Sequence, residues 1–389
     1  MSVGIDEISF YTSNYFLDLR TLAEAQQTDP EKYYVGIGQE KMGMAAPDED
    51  IVTMAANAAM PLVAEGAGER VTTLLFATET GIDQSKAAGV YVHRLLGLSS
   101  NCRVVELKQA CYSATAAIQM ACALVARRPD TKVLVVASDV ARYDLNTPGE
   151  ATQGCGAVAM MVSANPRLVE IDPEVGNYTE DVMDFWRPNY RNTALVDGKY
   201  STKIYLKSLK KAWENFRTAS SLMFTDFGHF CYHLPFGRMA QKAHQHLAKL
   251  NKCALNAEQL ERQIEDTLLY NRAIGNSYTA SMYIGLASLL ENCQQNLAGQ
   301  RIGFFSYGSG CVAEFFSGRV MDGYERWLHR DQHRQLLDAR QELSYEEYLQ
   351  LYRYPDPRDG EHHDIPATTT TGRFRLAAIS NHKREYVVC

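Results

Sequence analysis

The sequence predicts an α/β protein, and three observations carry that reading. Short apolar runs recur through the first 165 residues, helix-like stretches alternate with them, and the runs are apolar at nearly every position. Strands buried on both faces show that unbroken pattern, which points to a sheet sandwiched between helices. The runs are 72–78 (TTLLFAT, ending at Glu79), 133–140 (VLVVASDV) and 156–162 (GAVAMMV). Helical patterning covers 51–64, 84–96 and the alanine-rich 112–127. Asn165-Pro166 offers a boundary, dividing the chain into 1–165 and 166–389. Beyond it come polar helices at 202–216 and 257–270, another at 278–290, and a strand at 302–306 closed by Tyr307-Gly308-Ser309-Gly310. Segment 322–353 reads as helical and charged. Segment 355–371, with three prolines and a run of threonines, reads as a polar surface loop. No solenoid repeat is present, but each portion has a Gly-x-Gly beside a strand-like run, Gly154-Cys155-Gly156 and Gly308-Ser309-Gly310, suggesting two similar halves.

Composition narrows the function. A chain of 389 residues allows two or three domains or one large one. With 22% charged and 46% hydrophobic residues it is not disordered, collagenous or coiled-coil. The net charge of −7 and the lack of a long basic run argue against nucleic acid as a partner. No apolar stretch approaches the roughly 18 residues that span a bilayer. The start, MSVGIDEISF, lacks the basic region and apolar core of a secretory signal, so a cytoplasmic protein with no membrane partner is expected. The nine cysteines contain no C-x-x-C pair, which fits a reducing compartment where most fill core space.

Four constellations could carry chemistry. Residues 104–108 read as a short strand, followed by Gln109-Ala110-Cys111-Tyr112 and the alanine-rich helix. A cysteine at a strand-to-helix turn sits over a helix N-terminus, where unpaired N–H groups favour a thiolate and any oxyanion formed on attack; it is equally the place of a buried helix-start cysteine. His233 ends an apolar run before Pro235, so its imidazole should emerge at a strand terminus, where α/β sheets bind ligands, although a lone histidine there is more often a core residue. Glu79, at another strand end beside Gly81, is either a desolvated general base or a solvated loop residue. Asn276 and the Gly308-Ser309-Gly310 turn are either cap and turn chemistry or donors to a substrate carbonyl. His229, His244 and His246 make no H-E-x-x-H spacing, so no metal site is expected.

Together these residues resemble one family, the hydroxymethylglutaryl-CoA (HMG-CoA) synthases of the thiolase superfamily, in their shorter bacterial form. The anchors are 29–39 (DPEKYYVGIGQ) with Met42, Thr78-Glu79-Thr80, 108–115 (KQACYSAT), Ser138-Asp139, 152–158 (TQGCGAV), 178–188 (YTEDVMDFWRP), 196–201 (VDGKYS), 233–236 (HLPF), 276–279 (NSYT) and 305–310 (FSYGSG). They run in order, and the resemblance extends to about Arg353. The resemblance implies a thiolase-like fold of two similar halves in five α-β-α-β-α layers and a homodimer. The first half would carry the reactive cysteine and glutamate, the second the histidine and asparagine. It implies condensation of acetyl-CoA with acetoacetyl-CoA through an acetylated Cys111, with no cofactor beyond the CoA thioesters. Glu79 would be the general base and then acid, and His233 would polarise the ketone with Asn276 beside it. Backbone N–H groups of Cys111 and Ser309 would receive the thioester oxygen.

The same resemblance assigns Tyr143, Thr152 and Ser201 to the substrate or CoA pocket, with Asp29 and Asn146 as further members. Asp139 and Asp184 become supporting carboxylates. Arg238 and Lys242, four apart, can meet CoA phosphates as a basic pair; the family more often has lysine at the first of these, and a solvated helix face is the plainer reading. Three rivals compete. A polyketide β-branching synthase would take its acceptor from an acyl carrier protein, and a Cys-His-Asn ketoacyl synthase would need no Glu79. A non-enzymatic acyl-CoA-binding protein would form no acetyl-cysteine.

Overall fold

The apolar runs form strands, and nine strands join edge to edge among the described residues, 1–368 and 372–389, of the computed structural model. They are β1 (Val3–Thr12), β2 (Val71–Ala77), β3 (Arg103–Leu107), β4 (Lys132–Ala141), β5 (Gly154–Ala164), β6 (Val169–Thr179), β7 (His229–Tyr232), β8 (Arg301–Gly308) and β9 (Val312–Val320). Their order is β7-β8-β9-β6-β1-β5-β4-β2-β3. At the seam β1 and β6 pair antiparallel through Gly4↔Glu170 and Ile5↔Val169. Gly4 is required there, because a Cβ would stand 2.0 Å from Val169 O. Outward from the seam the same ladder is built twice. On one side β5 and β4 follow antiparallel and β2 parallel; on the other β9 and β8 follow antiparallel and β7 parallel.

Helices fill three layers around these half-sheets. Helices α1 (Ile51–Val63) and α2 (Ala88–Leu95) cover the outer face of the first half. Helices α3 (Ser113–Arg127) and α6 (Ser281–Asn292) lie between the halves, and α4 (Gly198–Ser220) and α5 (Gly237–Leu250) cover the outer face of the second. Alternate residues of each strand therefore enter different cores. On β2, Leu74 and Phe76 pack toward α1 while Leu75 and Ala77 face α3; on β8, Ile302 and Phe304 face the middle layer while Phe305 and Tyr307 face α4 and α5. Both faces are covered, which is why the runs lack alternation. The result is the α-β-α-β-α stack of the thiolase-like fold.

Several elements differ from the sequence reading. Helix α2 starts at Ala88 rather than 84, because the Asp83 side chain accepts the N–H groups of Ser85 and Lys86 and holds 83–86 in a turn. The helix expected at 257–270 is two, Ala257–Arg262 and Glu265–Ile274. Segment 322–353 divides into helix Arg330–Asp338, strand Gln341–Glu342 and helix Tyr345–Tyr352, the last opened by a capping box between Ser344 and Glu347. The two Gly-x-Gly motifs flank equivalent connections, but Gly154 opens β5 whereas Gly308 closes β8. Residues 369–371 of the expected loop lie outside the described residues. The rest of it is not only loop: His363–Asp364 pairs with Phe374–Ser380, which forms a hairpin with Lys383–Val388. Ile365, Phe374, Leu376 and Tyr386 bury against the first half, a packing surface that no local pattern in the tail announces.

Candidate active site

The site is assembled where the carboxyl ends of strands from both halves meet. Beyond β2 the chain runs Thr78-Glu79-Thr80, and Asp139 on neighbouring β4 fixes it. The Asp139 carboxylate accepts the Thr78 hydroxyl (2.7 Å), the Thr80 hydroxyl (2.6 Å) and the N–H groups of Glu79 (2.9 Å) and Thr80 (3.0 Å). From the second half it accepts the Thr279 N–H (3.1 Å) and the Thr279 hydroxyl. Asp139 has no exposed surface, so one buried carboxylate sets the Glu79 loop and ties it to the other half. Asp139→Asn replaces acceptor lone pairs with N–H groups facing donors. It is expected to destabilise the protein by about 3 kcal/mol and to lower activity, as read by thermal melting and steady-state rates; an unchanged melting temperature would refute the hub.

Cys111 follows β3 and precedes α3. Ala110 takes a left-handed φ of 43°, turning the chain sharply, and the Ser113 hydroxyl braces the turn by accepting Gln109 N–H (2.5 Å) and donating to Ala110 O (3.0 Å). The Cys111 thiol donates to Glu79 Oε1 at 2.8 Å. Burial pushes Glu79 up to about 8, with the charge of Asp139 adding to the effect. Burial also raises the Cys111 thiol well above its ordinary value, followed by the nearby charge of Glu79. The expected thiolate-favouring helix terminus is therefore outweighed at rest. Cys111 and Glu79 are a buried pair poised to pass one proton between them.

Glu79 also leaves a mark on stability. Its folded pKa lies above the ordinary 4.5, so between about 4.5 and 8 the native state holds a proton that the unfolded chain has released, and stability falls as pH rises through that window. Glu79→Gln removes the dependence. The variant should melt above the parent at pH 8 and close to it at pH 5; an equal difference at both would assign the slope elsewhere.

His233 continues the parallel ladder of β7, its N–H bonded to Phe305 O at 2.8 Å, and the Tyr205 hydroxyl holds its carbonyl at 2.9 Å. Nδ1 lies 3.0 Å from the Ser281 hydroxyl, which also accepts Leu234 N–H at 3.2 Å. Burial lowers His233 to about 3, so the imidazole is neutral at physiological pH. Ser281 has one proton to give, to Nδ1 or to Tyr278 O at 3.0 Å. Giving it to Nδ1 makes Nε2–H a donor with no other partner among the described residues. Asn276 is buried, and its Oδ1 accepts Tyr278 N–H at 2.9 Å, leaving its Nδ2 uncommitted among the described residues.

The opposite wall comes from the second half's turn. Asp184, fully buried, accepts the Ser201 hydroxyl (2.9 Å), the Tyr307 hydroxyl (2.6 Å) and Gly310 N–H (2.9 Å). Gln109 Nε2 donates to Ser309 O at 3.2 Å. Gly308 packs so closely on the Cys111 loop that a Cβ would stand 2.4 Å from Gln109 O and 2.8 Å from Tyr112 N. Tyr143 and Tyr278 pack with Cys111, Ala141 and Ala194 in one apolar cluster, Phe185 lying against it.

Of the remaining candidates, Thr152 keeps a side-chain contact with Tyr143, and Asn146, Asp29, Arg238 and Lys242 lie at the exposed surface. Thr152 donates its hydroxyl to Gly149 O at 2.8 Å. Asn146 is exposed at φ 60°, a left-handed turn position that asparagine tolerates. Asp29 is exposed and accepts Glu31 N–H at 2.9 Å. Arg238 and Lys242 are exposed on the first turns of α5; Arg238 bonds Gln241 at 2.6 Å, and its N–H holds Ile37 O at 2.9 Å, bringing the 29–39 segment to the helix start. The Ser201 hydroxyl is engaged by Asp184. Sequence reasoning missed Ser281 and Tyr205, and gave no role to two residues of its own anchors, Thr279 and Arg187, whose guanidinium bonds Glu79 O. These are common polar types that only contacts distinguish. Among the described residues, one group of metal-ligand type, His229, Asp266 and Cys293, gathers within 4.8 Å. It sits at the other end of β7 from His233, about 13 Å along the strand, and does not bear on the site.

Comparison with known proteins finds one family along the chain. The family model described as hydroxymethylglutaryl-coenzyme A synthase N terminal matches residues 1–167, and the C terminal one matches 169–256 and 248–364. The chain is 42% identical to the hydroxymethylglutaryl-CoA synthase of Enterococcus faecalis, over 99% of this chain and 100% of that one. It is 34% identical to the polyketide biosynthesis 3-hydroxy-3-methylglutaryl-ACP synthase PksG of Bacillus subtilis, over 91% and 88%. The crystal structure of an HMG-CoA synthase complexed with CoA superposes with a TM-score of 0.95 at 41% identity, covering all of both chains. On the fold, the placement of the buried Cys-Glu pair and these matches, the chain belongs to the hydroxymethylglutaryl-CoA synthase family.

Proposed function

We propose that this protein condenses acetyl-CoA with acetoacetyl-CoA and water to give HMG-CoA and CoA. The observation that carries the reading is the 2.8 Å contact between Cys111 Sγ and a Glu79 held near neutrality. Glu79 takes the thiol proton as Cys111 attacks the acetyl thioester, and returns it to the departing CoA sulfur. Freed again, it removes a proton from the acetyl methyl group. The enolate oxygen is received by the N–H groups of Cys111 and Ser309, and the carbon adds to the ketone of acetoacetyl-CoA. The neutral His233 donates from Nε2 to that ketone, with Asn276 Nδ2 beside it, and Glu79 returns its proton to the alkoxide. Water then cleaves the Cys111 thioester. A base that must later be an acid needs a pKa near the working pH, which burial supplies here.

Arg238 and Lys242 would meet CoA phosphates at the mouth, near the 29–39 segment, and no further cofactor is called for. The higher identity to the Enterococcus enzyme than to PksG supports a CoA-borne acceptor and a place in the mevalonate pathway. A homodimer is supported by β3, an edge strand with half-exposed Val105 (43%) and no neighbour on its outer side among the described residues. A cytoplasmic site fits its free cysteines. Mixing pure protein with acetyl-CoA and either acetoacetyl-CoA or acetoacetyl-carrier protein, then analysing products, tests the reading. HMG-CoA from the first mixture supports it, and product only from the second would move the acceptor.

A further inference from the structure

We propose that Glu314 is a positioning residue that clamps the nucleophile's helix against the Ser309 turn, an inference that rests on the acetyl-Cys111 reading above. Glu314 is the third residue of β9, just beyond the turn that follows β8, and is 2% exposed. Its carboxylate points between the half-sheets and grips α3 at two places. Oε2 accepts the hydroxyl of Tyr112, the residue next to Cys111, at 2.7 Å, and Oε1 accepts Gln119 Nε2 at 2.6 Å. Tyr112 and Gln119 are seven apart, two turns along one face of the helix.

No cation pairs with Glu314 among the described residues. Burial raises Glu314 to about 7, so a carboxyl gripped only by neutral donors is costly to keep ionised, and apolar residues would fill the same space more favourably if packing were its sole task. Its geometry instead links the two backbone segments that supply the oxyanion donors. Gly308 already touches Tyr112, and Gln109 reaches Ser309 O at 3.2 Å. Those contacts fix the turn's height over the Cys111 loop. The Glu314 clamp fixes the helix's rotation and slide, and thereby where Cys111 N–H points relative to Ser309 N–H. Donors placed for the developing oxyanion act on the transition state more than on bound substrate, so a misplaced helix slows the chemistry without weakening binding.

The test uses Tyr112→Phe, which keeps the ring, Glu314→Gln, which keeps the shape, and the double variant. Each is assayed for single-turnover acetylation of Cys111 by mass spectrometry, affinity for acetyl-CoA, and melting temperature. Each single change should slow acetylation about fivefold, the effect of one lost or weakened hydrogen bond, with acetyl-CoA affinity within about twofold. The double variant should be no slower than the slower single one, because both break the same clamp. Normal acetylation in both variants, a loss confined to acetyl-CoA affinity, or losses that multiply in the double variant would overturn the clamp. A parent protein that forms no acetyl-Cys111 would overturn the catalytic reading and this inference with it.

Discussion

Cys111→Ser protein incubated with radiolabelled acetyl-CoA should carry no stable label, and its HMG-CoA formation should fall by roughly 10⁴-fold. Serine fits the space, and its hydroxyl can take over the donation to Glu79 Oε1 that the thiol makes at 2.8 Å, so the melting temperature should barely change. What is lost is the sulfur's nucleophilicity and its near-isoenergetic exchange with a thioester. Eight other cysteines provide an internal control. Cys155 and Cys231 are buried with thiols pushed up to about 11 and higher, respectively, by burial alone or nearly so, and neither has a carboxylate accepting its proton. Label retained at any of them would move the nucleophile.

Glu79→Ala separates the two stages of the reaction. Glu79 raises the Cys111 thiol through both its charge and its hydrogen bond, so removing it eases ionisation of the thiol while taking away its proton acceptor, and acetylation of Cys111 should continue at a reduced rate. Condensation should fail: no group is left to remove the methyl proton or return one to the alkoxide, a loss of about 10³-fold. Acetyl-enzyme should accumulate and decay only by slow hydrolysis. Normal turnover would refute the assignment. In the parent, the base must be ionised, so condensation should rise with pH through about 8. His233 contributes no inflection near its ordinary 6.5, since burial holds it near 3.

The expectations succeeded and failed for separable reasons. Strands β2, β4 and β5 were legible because each is covered on both faces, which leaves an unbroken apolar run. Glu79, Cys111 and His233 were legible as positions, at strand ends and a strand-to-helix turn. The state of Cys111 was not. A helix N-terminus predicts an eased thiolate, whereas its burial beside Glu79 and within reach of Asp139 and Asp184 raises the thiol instead, and those groups are distant in sequence. Asn146 and Asp29 were carried over from the resemblance, and both stand exposed in turns. The hairpin formed by Phe374–Ser380 and Lys383–Val388 has a regular pattern but no local sign of the surface that receives it.

By itself, the sequence determined the layered α/β architecture, pointed to a doubled half, and marked Glu79, Cys111 and His233 as candidates, because periodicity, turn chemistry and ordered motifs are properties of neighbouring residues. Tertiary structure alone decided their electrostatics and alignment. Asp139 gathering Thr78, Thr80 and Thr279, Ser281 facing the His233 ring, and Asp184 holding Tyr307 and Gly310 include contacts across 48 to 140 positions, and the Asp139–Thr279 bonds join the halves. Proton affinity and hydrogen-bond direction depend on distance and burial in space, and no pattern along the chain encodes them locally.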